Sequence, residues 1–314
     1  MQDASHFDDS ALDASLAGLN KAVWKSRMIN LVEAHGEYHP LGQRHFATYL
    51  AGKPTLLVTF ESIQGIQALS ENAHPMGFDM VRSQGWSHLC LISDGDTWFR
   101  NSRVYGYFDQ LIDDGFFDQF ERVLFFGAGP CGYAASAFSV AAPGATVLAI
   151  QPQATLDPRM TEWDPRFTEF RRTSFTDRFG YAPDMLDAAD QAFVLYDPRQ
   201  DLDAMHAALF RRPNVTRLRL PHMGSALQTS LIEMDILYRL LLLAGTGRLT
   251  PHFFSQLYRE RRTNVGYLRA LMARLDNEDR PALVAMLCRN VTGRMRAPKF
   301  RRRLDAVEKE HNDR

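Results

Sequence analysis

Residues Arg122–Pro152 read RVLFFGAGPCGYAASAFSVAAPGATVLAIQP. An apolar run, VLFF over 123–126, enters a turn carrying Gly127, Gly129 and Gly132 and leaves through small residues at helical spacing; a second apolar run, VLAI over 147–150, follows. This order predicts a buried strand, a tight turn, a helix packed close to a sheet, and another strand. Glycine lets the backbone take positive φ and lets helix and sheet approach. The start of such a helix offers unpaired N–H groups to an anion.

Further strand-like runs precede and follow this unit. Thr55–Phe60 and Leu89–Ser93 come before it; Ala192–Tyr196, running into Asp197-Pro198, and Val215–Leu220, running into Pro221, come after. Helix-period stretches lie between them, at Tyr105–Phe120, Gly132–Ala142 and Leu202–Phe210. Strands alternating with helices imply a parallel sheet covered on both faces, so the fold class is α/β with a mostly parallel, doubly wound sheet. Leu12, Leu16, Leu19, Val23, Met28, Leu31 and Val32 predict one or two helices within residues 1–50. Past Met223 the pattern turns helical, with helices expected at Leu227–Ala244, Pro251–Leu275 and Arg280–Cys288 and a charged tail from Arg294. The expected organisation is a helical segment over 1–50, a core over 51–226 and a helical region with a basic tail over 227–314.

Composition excludes several classes. The 314 residues carry 36 Lys+Arg against 37 Asp+Glu, a formal charge of -1, with 45% hydrophobic residues, so whole-chain disorder is out and no global field favours nucleic acid or membrane. Charge is split between the ends. The first twenty residues hold four Asp and no basic residue, whereas Arg259–Arg303 holds thirteen Arg/Lys against four Asp/Glu. Within it the run Arg301-Arg302-Arg303, with Arg294, Arg296 and Lys299, could meet an acidic partner, but Phe300 is the only aromatic of that run, poor support for stacking on nucleic acid. Cys90, Cys131 and Cys288 fit neither a disulfide framework nor a CxxC metal site. The acidic start lacks a secretory apolar region, and Leu231–Ala244 carries Glu233, Asp235 and Arg239, so a cytoplasmic protein with no membrane span is expected. No P-loop, HExxH or Cys/His metal cluster occurs in the sequence.

The glycine turn admits three resemblances. Gly127-Ala128-Gly129-Pro130-Cys131-Gly132 satisfies GxGxxG and resembles FAD- and NAD-binding Rossmann proteins, in which Gly127, Gly129 and Gly132 would meet a phosphate; the acid expected at the end of the next strand is replaced by Gln151. SAM-dependent methyltransferases are similar, and Gln151 departs from their pattern too. The third resemblance is to the nucleophile elbow of α/β-hydrolases, G-x-S-x-G. Gly127–Ala135 is similar to the G-x-S-M-G-G-Y-A-A elbow of a bacterial esterase-like group, with Gly129 in place of the serine and departures at Pro130 and Cys131.

The third resemblance also covers the surrounding order, from Thr55 to Leu227. It implies an oxyanion loop after Thr55–Phe60 (Glu61, Ser62), an acid loop after Ala192–Tyr196 (Asp197, Asp201, Asp203) and a histidine after the last strand, where His222 stands. Members of that group act on acyl esters, so an acyl ester or another small molecule is the implied ligand, with no cofactor. Because Gly129 offers no attacking atom, the leading expectation is a protein that has lost serine-hydrolase activity and binds a ligand or partner at the former active site. The enzyme alternative uses Cys131 as nucleophile, His222 as base and Asp201 to orient it; Ser62 is a displaced hydroxyl that could stand in. Asp201-Leu202-Asp203 also reads as a helix N-cap, and Cys131 as a small buried thiol. The other alternative is a nucleotide-cofactor enzyme taking NAD, FAD or SAM. Trp98, Phe99 and Arg100 lie at a strand's carboxyl end, where they could line a pocket or pack in the core.

Overall fold

In the computed structural model, which describes residues 14–312, the chain forms two compact units, Met1–Phe254 and Ser255–Arg314. In the first unit the strands are β1 (Glu37–Pro40), β2 (His45–Leu50), β3 (Lys53–Ser62), β4 (Trp86–Ser93), β5 (Arg122–Ala128), β6 (Thr146–Ile150), β7 (Gln191–Tyr196) and β8 (Val215–Arg219). They make one sheet in the order β1-β2-β4-β3-β5-β6-β7-β8. From β4 onward every neighbouring pair is parallel, while β2 runs antiparallel to both β1 and β4. All six strand-like runs of the sequence are strands of this sheet. The glycine turn follows β5, between β3 and β6, in mid-sheet. A Rossmann fold would place it on the opening strand.

Apolar side chains leave both faces of the central strands, as a doubly covered sheet requires. Helices α1 (Lys21–Glu33), α2 (Ile63–Leu69) and α3 (Gly77–Gln84) contribute Trp24, Met28, Val32, Ile63, Ile66, Phe78 and Val81 to a core with Phe46, Cys90 and Ile92 of the sheet. Helices α4 (Ser102–Asp113) and α5 (Pro130–Phe138) pack in a second core, where the Phe108 and Phe138 rings stack at 4.6 Å and Phe60 lies 5.5 Å from Phe138. Helix α5 can sit this close because it is built of glycine, alanine and serine on the sides that meet the sheet. Helix α6 (Asp201–Leu209) follows β7, and α7 (Leu227–Glu233) and α8 (Leu237–Gly245) follow β8.

The opening segment departs from its helical expectation. Among its described residues only Lys21–Glu33 is helical, and residues 37–50 form the β1–β2 hairpin; β2 pairs with β1 on one edge and β4 on the other, and this tertiary pairing overrides local spacing. Residues Ser10 and Leu12, expected to open a helix, and the acidic start lie outside the described residues. The single helix expected over 227–244 is two, broken at Asp235, whose φ is +55°.

The second unit holds α9 (Val265–Asn277), α10 (Pro281–Thr292) and α11 (Pro298–Asn312). Its core joins Leu268, Val284, Cys288 and Val291 to Phe300, Leu304 and Val307 of α11. The charged tail expected from Arg294 is, over Pro298–Asn312, a packed helix. Arg303 pairs with Asp276 at 2.9 Å, while Arg301 and Arg302 are exposed. Among the described residues no helix is long and apolar enough to cross a membrane.

Candidate functional site

The turn after β5 has the geometry of an elbow. Gly129 caps α5 with φ +57° and ψ -124°, a region that side-chain-bearing residues enter only under strain, and Pro130 occupies the first helical position. The Gly129 N–H donates to the Ile150 carbonyl at 2.8 Å, fastening the bend to β6. The three glycines serve different ends. A Cβ on Gly127 would run into the Cys131 carbonyl, and one on Gly132 would lie 3.1 Å from the Ile150 carbonyl oxygen, so these two let the helix approach the sheet. A Cβ on Gly129 would meet nothing within 4 Å. Only there does a side chain have room to project.

An acyl-transfer elbow supplies two things: a nucleophilic side chain at the bend, and an oxyanion donor from the backbone N–H of the next residue. At Gly129 the first is missing. At Pro130 the second is missing, because proline carries no N–H. The carboxyl end of β3, next to the region that supplies the other oxyanion donor in such enzymes, places Glu61 on a cavity that Ala128 and Pro130 also line. A carboxylate there opposes a developing oxyanion. Burial raises the Glu61 pKa against the hydrogen bonds that favour its anion, from the Thr59 hydroxyl, the Met76 N–H and the Cys90 thiol.

Beside the turn lies a cavity of about 770 Å³. Ala128, Pro130, Cys131, Glu61 and Ser62 line it, as do Ile66 and Leu69 of α2, Ile232 of α7, and Leu237, Tyr238 and Leu241 of α8. Its charges are unbalanced. Among the described residues, Glu61, Glu71, Asp79, Asp96 and Asp235 line it against a single arginine, Arg82, which pairs with Asp79.

Cys131 stands in the first turn of α5 on the cavity wall. Burial raises its thiol pKa, and the Glu61 and Asp96 carboxylates raise it further, the reverse of the electropositive surroundings that make a thiolate. Ser62 also lines the cavity, but its Oγ caps α2 by accepting the Gly65 N–H at 3.0 Å. His222 lies in the loop between β8 and α7, half-buried, with φ +68°. The residue that ties this loop to the acid loop is Asp197: buried at the end of β7, it accepts the Gly224 N–H at 2.8 Å and the Arg199 N–H at 2.9 Å. Asp201 is exposed in the first turn of α6. Asp203 takes part in a different arrangement, accepting from Gln151 Nε2 at 2.6 Å and from Arg166 at 2.6 Å. Trp98 and Phe99 are core residues, fully buried at φ +48° and +55°, with the indole donating to Gln153 at 3.2 Å.

Sequence reasoning missed the consequence of Pro130, although the residue was visible beside Gly129. It also missed His88, buried on β4 beside Glu61; a histidine inside an apolar strand, with Cys90 two residues on and therefore on the same face, was the available signal.

No family model matches the sequence, and neither does any curated protein. Among solved structures the chain is similar to the glycosylation-associated protein complex (Gap123) of Streptococcus agalactiae, at 14% identity and a TM-score of 0.46 over 69% of this chain and 48% of that one. It thus spans about half the length of that protein. It is also similar to EstE1, a thermophilic carboxylesterase cloned from a metagenomic library, at 14% identity and a TM-score of 0.43 over 73% of this chain and 98% of that one. A third similarity is to the capsule O-acetyltransferase of Neisseria meningitidis serogroup A, at 10% identity and a TM-score of 0.41 over 63% and 91%. The strand order, the antiparallel β2 and the elbow after β5 make this an α/β-hydrolase fold.

Proposed function

We propose that this protein binds a small molecule in the cavity beside Gly129 and does not hydrolyse acyl esters. The observation that carries the reading is the pair of adjacent losses at the elbow, Gly129 without an attacking atom and Pro130 without an amide hydrogen. Losing one oxyanion donor alone costs about 10²–10³ in turnover; losing the nucleophile as well removes the covalent route. One further feature supports it: the Cys131 thiol is held protonated by its surroundings. The cavity offers volume and a lining that mixes apolar and polar side chains, the ingredients of a ligand site.

The test is a pair of assays on the purified full chain. Short-chain aryl esters should be hydrolysed no faster than by buffer, while a small-molecule thermal-shift screen should return ligands whose stabilisation is lost when Leu241→Trp fills the cavity. Ester hydrolysis that disappears in His222→Ala would overturn the reading. A shift with NAD, FAD or SAM that survives Leu241→Trp would transfer it to a nucleotide-cofactor enzyme.

A further inference from the structure

The parallel register of β3 and β4 sets Thr59 beside Cys90 and Leu57 beside His88, so Thr59 and Glu61 share one sheet face with His88 and Cys90. Helices α2 and α3 cover this face with Ile63, Ile66, Phe78 and Val81, and the sheet adds Ile92 and the buried Thr48, which pairs with Cys90. Thr59, Glu61, His88 and Cys90 bring a hydroxyl, a carboxylate, an imidazole and a thiol together under that cover. Three donors converge on the Glu61 carboxylate: the Thr59 O–H donates to Oε1 at 2.8 Å, the Cys90 S–H to Oε1 at 3.5 Å, and the Met76 N–H to both oxygens at 3.1 Å. Glu61 is thus arranged as an acceptor. Among the described residues no lysine or arginine pairs with it, and a buried anion without a cation is costly.

His88 is 1% exposed. Its Nε2 shares the Thr59 hydroxyl at 2.8 Å, and among the described residues its Nδ1 has no hydrogen-bond partner. Gly77 is what admits the ring, since a Cβ there would overlap the imidazole. One ligand atom from each of Glu61, His88 and Cys90 lies within 4.8 Å of the others. The 3.5 Å between the Cys90 sulfur and the Glu61 oxygen matches the edge of a tetrahedral zinc site, about 3.5 Å for Zn–S of about 2.3 Å and Zn–O of about 2.0 Å.

We propose that Glu61, His88 and Cys90 bind a zinc ion, with the Thr59 hydroxyl supporting the carboxylate and the fourth coordination position turned toward the cavity that Glu61 lines. Thiolate with imidazole and carboxylate selects zinc or cobalt over magnesium and calcium, which prefer oxygen alone. Binding replaces the Cys90 thiol proton, which passes to solvent, and the ion's two charges are matched by the thiolate and the carboxylate. Three protein ligands with an open position is the pattern of a zinc site that takes a further ligand. This inference is independent of the ligand-binding reading and fails or stands separately from it.

The experiment uses the full chain, stripped with chelator and shown to melt cooperatively, titrated with Zn²⁺ by calorimetry and with Co²⁺ by absorption spectroscopy. One zinc per chain, release of a proton on binding, a rise in Tm and a thiolate-to-cobalt charge-transfer band are expected. Glu61→Gln and Cys90→Ser should each weaken Zn²⁺ binding by at least about 10-fold, with the band lost in Cys90→Ser, and Cys288→Ser in the second unit should leave both unchanged. A folded wild-type chain that takes up no metal, a band that survives Cys90→Ser, or equal affinity in all three variants would overturn the proposal. If Glu61→Gln or Cys90→Ser does not melt cooperatively, the band and the proton count of the wild type decide it: both present supports the site, either missing sinks it.

Discussion

Gly127 is packed so tightly against Cys131 that a Cβ on the glycine would overlap the cysteine's carbonyl oxygen, whereas two residues on, at Gly129, a Cβ would meet nothing within 4 Å. Substitution should therefore sort the two positions sharply. Gly127→Ala forces the start of α5 away from β5 and should cost about 3 kcal/mol. Gly129→Ala pays only for its positive φ, about 1–2 kcal/mol. Urea denaturation of the two variants checks this, and equal losses would mean that the helix is not seated as described.

Room at Gly129 makes the elbow repairable in principle, and Pro130 predicts how. Gly129→Ser alone restores an attacking oxygen but no oxyanion donor, so its rate on aryl esters should stay near background. The double variant Gly129→Ser/Pro130→Ala adds the missing N–H and should exceed the single by about 10²–10³. His222→Ala on that background should remove the gain, if the loop that Asp197 fastens through Gly224 delivers the base. A single variant as active as the double would show that the proline is irrelevant.

Much of this architecture was legible in the chain. The six runs from Thr55 to Leu220 are β3 to β8 because parallel strands buried on both faces read as continuous apolar segments. The β1–β2 hairpin was hidden, since Tyr38, Phe46 and Leu50 fall at spacings that suit a helix as well, and only pairing with β4 decides between them. Gln151 marked the absence of a ribose acid, yet its task was unreadable: at φ +47° it joins Asp203 to the Leu227 N–H, contacts across 52 and 76 residues. Likewise Glu61 lies too far in the chain from the His88–Cys90 pair for spacing to unite them; the strand register does so.

Acid lining makes a prediction about charge. Glu71, Asp79, Asp96 and Asp235 surround the cavity with Arg82 already paired to Asp79. For ligands of equal chain length, primary amines should stabilise the chelator-treated protein more than carboxylates do, and the difference should shrink as salt rises from about 0.01 M to 1 M, where screening is strong. Thermal shift with octylamine and octanoate reads this out. Greater stabilisation by octanoate would contradict the charge argument while leaving the cavity in place.

Buried Asp164, His206 and Asp203, bridged by the partly exposed Arg166, link the strand end beside the elbow to α6. The Ala154 N–H donates to His206 Nδ1 at 3.2 Å, so the ring hydrogen is on Nε2 and donates to Asp164 at 3.0 Å; Arg166 bridges Asp164 at 2.8 Å and Asp203 at 2.6 Å. Burial would raise the Asp164 pKa, but the hydrogen bonds from His206 and Arg166 outweigh it and hold the carboxyl well below the usual range. A folded pKa below the unfolded value means that the stabilisation is complete above about pH 4 and is lost as the pH falls toward the folded value. Asp164→Asn should therefore be less stable at pH 7 by about 2 kcal/mol, a figure reduced from that of a fully buried pair because Arg166 is partly exposed. Below pH 4 the wild type should lose stability more steeply than the variant, by up to about 1.4 kcal/mol per pH unit, so the two curves converge. Because Gln151 hangs from Asp203 and adjoins the Ile150 carbonyl that fastens Gly129, the variant should also loosen the elbow. Hydrogen exchange at the Gly129 amide should then be faster in Asp164→Asn at pH 7 than in the wild type, and unchanged exchange would confine the network's role to stability.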